Sequence, residues 1–125
     1  MSTRTLRQAA ERRGRWAERL CVIRLRLGGW RILARRHAGL RGTAIGEIDL
    51  VARRGKTVAF IEVKARANAA LAVMAVTKNQ QHRIVQAATM FLARRPDLAD
   101  CTARFDVMIV GSGLWPRHLA DAWRP

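Results

Sequence analysis

Gly46-Glu47-Ile48-Asp49-Leu50-Val51-Ala52-Arg53-Arg54-Gly55-Lys56-Thr57-Val58-Ala59-Phe60-Ile61-Glu62-Val63-Lys64 reads as two β-strands around a tight turn. The first strand is predicted over about Glu47 to Ala52 and the second over Thr57 to Lys64. Both are rich in β-branched and apolar residues, and a glycine punctuates the link between them. With Arg54-Gly55 as a two-residue loop, Arg53 pairs with Lys56, Asp49 lies opposite Phe60, and Glu47 lies opposite Glu62. Opposed residues share a face and successive residues alternate. Glu47, Asp49, Glu62 and Lys64 then project from one face, which they share with Val51, Val58 and Phe60. The other face holds Ile48, Leu50, Ala52, Ala59, Ile61 and Val63 and is purely apolar. Asp49 and Glu62 become diagonal neighbours about 7 Å apart, and a one-residue slip would part them.

Charged groups inside apolar strands are costly unless paired or bound to a metal. Converging carboxylates repel one another, and a divalent cation removes that repulsion. Oxygen donors of this hardness suit Mg²⁺ or Mn²⁺ rather than zinc. A lysine beside them can orient an attacking water or stabilise charge on a phosphate. The alternative is a surface hairpin whose acids pair with arginines, but such a hairpin has no need of apolar residues on both faces.

The pattern Asp49…Glu62-Val63-Lys64 resembles the core of the PD-(D/E)xK nuclease superfamily. The strings Gly46-Glu47-Ile48-Asp49-Leu50-Val51 and Phe60-Ile61-Glu62-Val63-Lys64-Ala65-Arg66 resemble the YraN family of small bacterial endonuclease-like proteins. Gly14-Arg15-Trp16-Ala17-Glu18-Arg19-Leu20 and Arg104-Phe105-Asp106-Val107 extend that resemblance over most of the chain. It implies a restriction-endonuclease-like α/β fold, a mixed sheet flanked by helices in the order α-β-β-β-α-β. It implies a divalent-metal-dependent phosphodiesterase acting on DNA, with branched or repair and recombination intermediates among the candidate substrates. Mg²⁺ or Mn²⁺ would be held by Asp49 and Glu62, with a backbone carbonyl near Val63 and with Glu18 from the first helix as further candidates. Lys64, Glu47 and Gln80 are the accompanying catalytic candidates. The alternative is a non-catalytic nucleic-acid-binding accessory protein that retains the nuclease fold.

The 125 residues carry 24 Lys and Arg against 9 Asp and Glu, a formal net charge of +15. Such a field attracts polyanions, nucleic acid foremost; the charge alone would also fit ribosomal RNA or a membrane surface. Half the residues are hydrophobic, which excludes a disordered basic tail and supports a single domain over residues 1–125, nuclease-like as the resemblance implies, with about 1–13 open to reading as a frayed basic arm. No apolar run reaches the roughly 18 residues needed to span a bilayer. The basic, Ser- and Thr-bearing start has the composition of a transit peptide, but an exposed start to the first helix is the simpler reading. Cys21 and Cys101 are expected to be free thiols, and with three scattered histidines they give no zinc spacing. The resemblance implies the cytoplasm of a bacterium, DNA as partner and no membrane association. Many nucleases of this fold cut as dimers, so a homodimer is compatible, although no residue identifies an interface.

Taken in order, Arg4 to Leu27 has helical periodicity, with a break possible at Gly14. Within it Glu18 is either a metal ligand or a surface acid paired with Arg15. Trp30 to Arg36 reads as a strand. His37 to Ile45 is a basic, glycine-bearing loop, longer by a few residues than the family's pattern. Arg41 there, Arg66 after the motif lysine, and Arg83 are the candidate nucleic-acid contacts; His37 reads as a plain loop residue. Residues 65–72 read as a flexible loop over the site. Thr77 is the expected N-cap of a helix from Lys78 to Arg94 that buries Ile84, Ala87, Ala88, Phe91 and Leu92. The family segment has a Gln or Lys at the position of Gln80, with Gln81 one step away; a solvated polar helix start is the competing reading of both. Ala103 to Val110 reads as a strand in which Asp106 either hydrogen-bonds structurally or pairs with Arg104, a reading preferred to a metal role. The tail from Trp115 to Trp123 is expected to cover a sheet edge with its tryptophans and Leu119.

Overall fold

The computed structural model describes residues 2–36, 48–65, 68–111 and 115–125, and only the backbone of helix residues 10–13. The order is α1 (Thr3–Leu27), β1 (Arg31–Arg35), β2 (Leu50–Arg54), β3 (Thr57–Lys64), α2 (Ala69–Met74), α3 (Lys78–Ala93), β4 (Thr102–Ile109) and β5 (Arg117–Leu119). The five strands form one sheet in sequence order. β1, β2 and β3 pair antiparallel, β3 and β4 pair parallel, and β5 runs antiparallel to β4. A parallel step needs a crossover, and α2 and α3 supply it.

Two core clusters lie on the two sides of the sheet. Leu50, Ala52, Ala59 and Ile61 pack with Cys21, Val22 and Leu25 of α1, with Trp30, and with Met108. Val51, Val58 and Phe60 pack with Ala72 of α2, with Ile84, Ala87 and Ala88 of α3, and with Phe105, Val107 and Trp123. This is why both faces of the β2–β3 hairpin are apolar: each is covered by helix. α1 is about 37 Å long at 1.5 Å per residue, yet among its described side chains the fully buried apolar ones are Cys21, Val22 and Leu25, all in its second half.

The hairpin register differs from the predicted one by two residues. Arg54 pairs with Thr57 and Val51 with Phe60, so the loop is Gly55-Lys56. Gly55 takes φ 60°, the positive value that the first position of a type II′ turn requires. A two-residue shift preserves side-chain parity, so the predicted faces survive. Carried one step past Leu50 and Ile61, the register sets Asp49 directly across from Glu62 rather than diagonal to it. Ile48 departs from its predicted face: it joins the cluster of Val51 and Phe60 because the chain bends at Asp49 before β2 begins.

α1 runs unbroken through Gly14 and is capped by Ser2, whose side chain accepts from Thr5 N–H. Residues 69–74, expected to be loop, form α2, capped by the Asn68 side chain accepting from Leu71 N–H. α3 starts at the predicted cap, Thr77, which accepts from Gln80 N–H. In the tail, Leu119 belongs to β5, and that strand covers the β4 edge through backbone pairing. Trp123 is buried and stacks on Phe105 at 4.4 Å, whereas Trp115 stays half exposed. Cys21 and Cys101 are free, as expected, and burial, with the charges of Asp49 and Glu18, pushes the Cys21 thiol up to about 12. Among the described residues no helix is long and apolar enough to cross a membrane.

Candidate metal-binding and catalytic site

The two ends of the acidic motif meet where β2 begins and β3 finishes. Asp49 completes the ladder with its side chain: its Oδ2 accepts the Val63 N–H at 2.8 Å, while its carbonyl accepts the Arg36 N–H at 3.0 Å. Its Oδ1 accepts from the Arg36 guanidinium at 3.2 Å. The Val63 N–H thus holds the carboxylate and the Arg36 N–H holds its backbone, which fixes Asp49 one residue from Glu62 across the hairpin.

Glu62 is 4 % exposed. Its Oε2 accepts from Gln80 Nε2 at 2.9 Å and lies 3.6 Å from Lys64 Nζ. Lys64 Nζ also donates to Gln80 Oε1 at 3.4 Å. The first turn of α3 is thus pinned to the end of β3 by a three-membered polar ring. The other oxygen, Oε1, is buried and has no hydrogen-bond partner among the described residues. Burial, and next the charge of Asp49, push the Glu62 carboxyl up to about 8, against the opposing pull of Lys64 and Arg36.

An orphaned, buried carboxylate oxygen within the field of a second carboxylate is an expensive arrangement for the protein alone. Two hard oxygen groups with one open donor atom fit a Mg²⁺- or Mn²⁺-like ion, which takes one or two carboxylates and keeps several waters. Among the described residues no group of three or more His, Cys, Asp and Glu side chains gathers as a metal cluster.

Asp49, Glu62, Lys64 and Gln80 are brought together. Gln81 points away and donates to the Val76 carbonyl at 3.4 Å, which separates the two glutamines that the sequence left open. Glu18 is buried on α1 and accepts from Arg35 Nε at 3.0 Å, a β1 residue and not the helix neighbour Arg15. Arg83 is exposed on α3, three residues past Gln80. Glu47, Arg41, Arg66 and His37 lie outside the described residues.

Arg36 is the site residue that sequence reasoning did not single out. Its side chain is 52 % exposed and holds Asp49; a run of two arginines ahead of a basic loop gave no means of telling which one faces the acids. A second polar cluster lies elsewhere, on β4. Asp106, fully buried, accepts the fork of Arg104 at 2.9 and 2.8 Å, as predicted, and also meets His118 Nε2 at 2.6 Å and the Asp121 N–H at 2.9 Å. Burial would raise its pKa, but His118, Arg104 and the Asp121 amide outweigh that and hold the carboxyl below its usual value. This cluster ties β5 and the tail to β4 and has no contact with Glu62 in the hydrogen-bond pattern above.

A family model described as "Uncharacterised protein family UPF0102" matches residues 17–110, a span that contains all four assembled site residues. A UPF0102 protein of Paramagnetospirillum magneticum is 53 % identical over 117 residues, covering 94 % of this chain and 91 % of its own length. One from Parvibaculum lavamentivorans is 50 % identical, covering 94 % and 85 %. One from Maricaulis maris is 47 % identical over 123 residues, covering 98 % and 93 %. The chain belongs to the UPF0102 family, the YraN-like group that its motif strings resemble.

Proposed function

We propose that this protein is a Mg²⁺- or Mn²⁺-dependent phosphodiesterase acting on DNA, built on a restriction-endonuclease-like core. The observation that carries the reading is the buried Glu62 Oε1, which lacks a protein partner among the described residues while the Asp49 carboxylate is held on the N–H of the next residue, Val63. The mixed sheet with its parallel β3–β4 step and helices on both faces is consistent with that core.

Asp49 and Glu62 would hold the ion, which when bound supplies charge neutralisation and activation of water at neutral pH. Asp49 is preset for this by its bond from the Val63 N–H. Gln80 fixes the Glu62 carboxylate plane by occupying Oε2, which leaves the buried Oε1 without a hydrogen-bond partner among the described residues. Lys64 sits within reach of that carboxylate and carries a cation to the place where phosphate charge develops. Arg36, exposed beside Asp49, can swing to a phosphate oxygen at small cost. The net charge of +15 supplies the long-range attraction for the polyanion.

The test is cleavage of linear, single-stranded, flapped and four-way-junction DNA in Mg²⁺, Mn²⁺ or EDTA. Wild type runs beside Glu62→Gln and Lys64→Ala, each checked for folding. Metal-dependent cutting lost in both variants supports the nuclease. Salt-sensitive binding without cutting, equal in all three proteins, would overturn it in favour of the non-catalytic accessory protein.

A further inference from the structure

Helix α1 carries a second apolar stripe that the sheet does not use. Cys21, Val22 and Leu25 face the sheet and are 0–3 % exposed. Trp16, Ile23 and Leu27 are 60 %, 47 % and 75 % exposed, and Leu20 between them is half-buried. The four follow one another in steps of four, three and four. At about 100° per residue they fall within an arc of about 60° on the outer side of the helix.

That spacing and narrowness match the a/d seam of a coiled coil. An interfacial lipid-binding helix needs a wider apolar face, of about 100° or more, and here the opposite side of α1 is committed to the core. Leu20, Ile23 and Leu27, the aliphatic members of the seam, also have nothing to offer a phosphate backbone.

The flanks decide the partner. In the same heptad frame Arg19 and Arg26 take the g positions and Arg24 an e position. The acid between residues 14 and 27 is Glu18, buried on the sheet side with Arg35. A second copy of α1, run either way, would bring arginine against arginine along the seam. A helix with acidic e and g positions would instead find a cation at each flank. We infer that the outer face of α1, through Trp16, Leu20, Ile23 and Leu27, docks an acidic amphipathic helix of another protein. This surface is independent of the metal site.

The probe is a dye-labelled synthetic peptide of about four heptads with Leu at a and d and Glu at e and g, whose own charges oppose self-pairing. Two controls carry Lys at e and g, or keep the glutamates and carry Ser at a and d. Binding to the full chain is read by fluorescence anisotropy. The Leu/Glu peptide is expected to bind at least about tenfold more tightly than either control. Ile23→Ser with Leu27→Ser, and separately Trp16→Ser, are expected to weaken it by a similar factor at unchanged circular dichroism, since these side chains are largely exposed. Equal binding of the Leu/Glu and Ser/Glu peptides, or no response to the substitutions, would overturn the inference. So would a wild-type dimer in sedimentation that the double substitution dissociates, or capture by anionic vesicles that the substitutions abolish in the absence of peptide binding.

Discussion

Gln80 Nε2 donates to Glu62 Oε2 at 2.9 Å, and this one bond ties the start of α3 to the carboxylate at the end of β3. Groups that orient a metal-binding carboxylate typically contribute 10- to 100-fold to metal affinity or activity. Gln80→Ala is expected to lower metal-dependent cleavage by a factor in that range at saturating DNA. Gln81→Ala, whose side chain binds the Val76 carbonyl, is expected to stay within about threefold of wild type. Equal losses in the two variants would remove Gln80 from the site.

The raised Glu62 carboxyl makes the metal-free fold sensitive to alkali. A folded value of about 8 against the ordinary 4.5 means that the folded chain keeps a proton which the unfolded chain has released. The unfolded state then binds fewer protons between those values, so stability falls as pH rises through that window. At about 1.4 kcal/mol per pH unit the fall reaches a few kcal/mol at most. Thermal melts in EDTA should show Tm decreasing across the window, and Glu62→Gln should flatten the slope. A divalent ion should raise Tm more at the alkaline end than at the acid end. A wild-type Tm that rises with pH across the window, or a Glu62→Gln slope equal to wild type, would refute the assignment.

Asp106 makes the opposite case, because its partners hold its pKa down. The stabilisation from its charge is present above the ordinary 3.8 and is lost as pH falls below it. Asp106→Ala strands Arg104 and His118 and frees the Asp121 amide. The expected cost is about 3 kcal/mol, the scale of breaking a buried hydrogen-bonded charge cluster. Urea titrations at neutral pH measure it, and cleavage per folded molecule should not change. A loss under about 1 kcal/mol would mean that the cluster does not hold β5 in place.

The sequence disclosed the site further than it disclosed the fold around it. Asp49, Glu62 and Lys64 could be placed on one face because strand parity tolerates a two-residue error in the turn; the error arose because Gly55 was put second in the loop and the chain uses it first. Thr77 located α3 to the residue, since a cap followed by a periodic stripe is a local signal. α2 lies where the small residues of 65–72 read as a flexible loop, although Asn68 and an alanine-rich run carry its signal. β5 is three residues long and exists through its pairing with β4, which no local pattern encodes. The partners of Glu18, Asp49 and Asp106 are Arg35, Arg36 and His118, at separations of 17, 13 and 12 residues. With 24 Lys and Arg and three His side chains to choose from, tertiary packing alone selects them.

Arg36 provides a test that separates metal binding from DNA binding at the same site. It pairs with Asp49 Oδ1 at 3.2 Å and so would compete with a cation for that oxygen. Arg36→Ala removes the competitor and one positive charge, and Mn²⁺ affinity measured by calorimetry without DNA is expected to rise a few-fold. If the guanidinium turns to a phosphate when DNA binds, the same substitution weakens DNA binding and lowers the slope of log affinity against log salt by about 1. Arg94→Ala, at the far end of α3, removes an equal charge and controls for the general field. The two effects in Arg36→Ala should have opposite signs, tighter for the ion and weaker for the polyanion. Tighter Mn²⁺ binding with an unchanged salt slope would make Arg36 a counter-ion of Asp49 alone, and weaker Mn²⁺ binding would show that it supports the carboxylate geometry instead of competing for it.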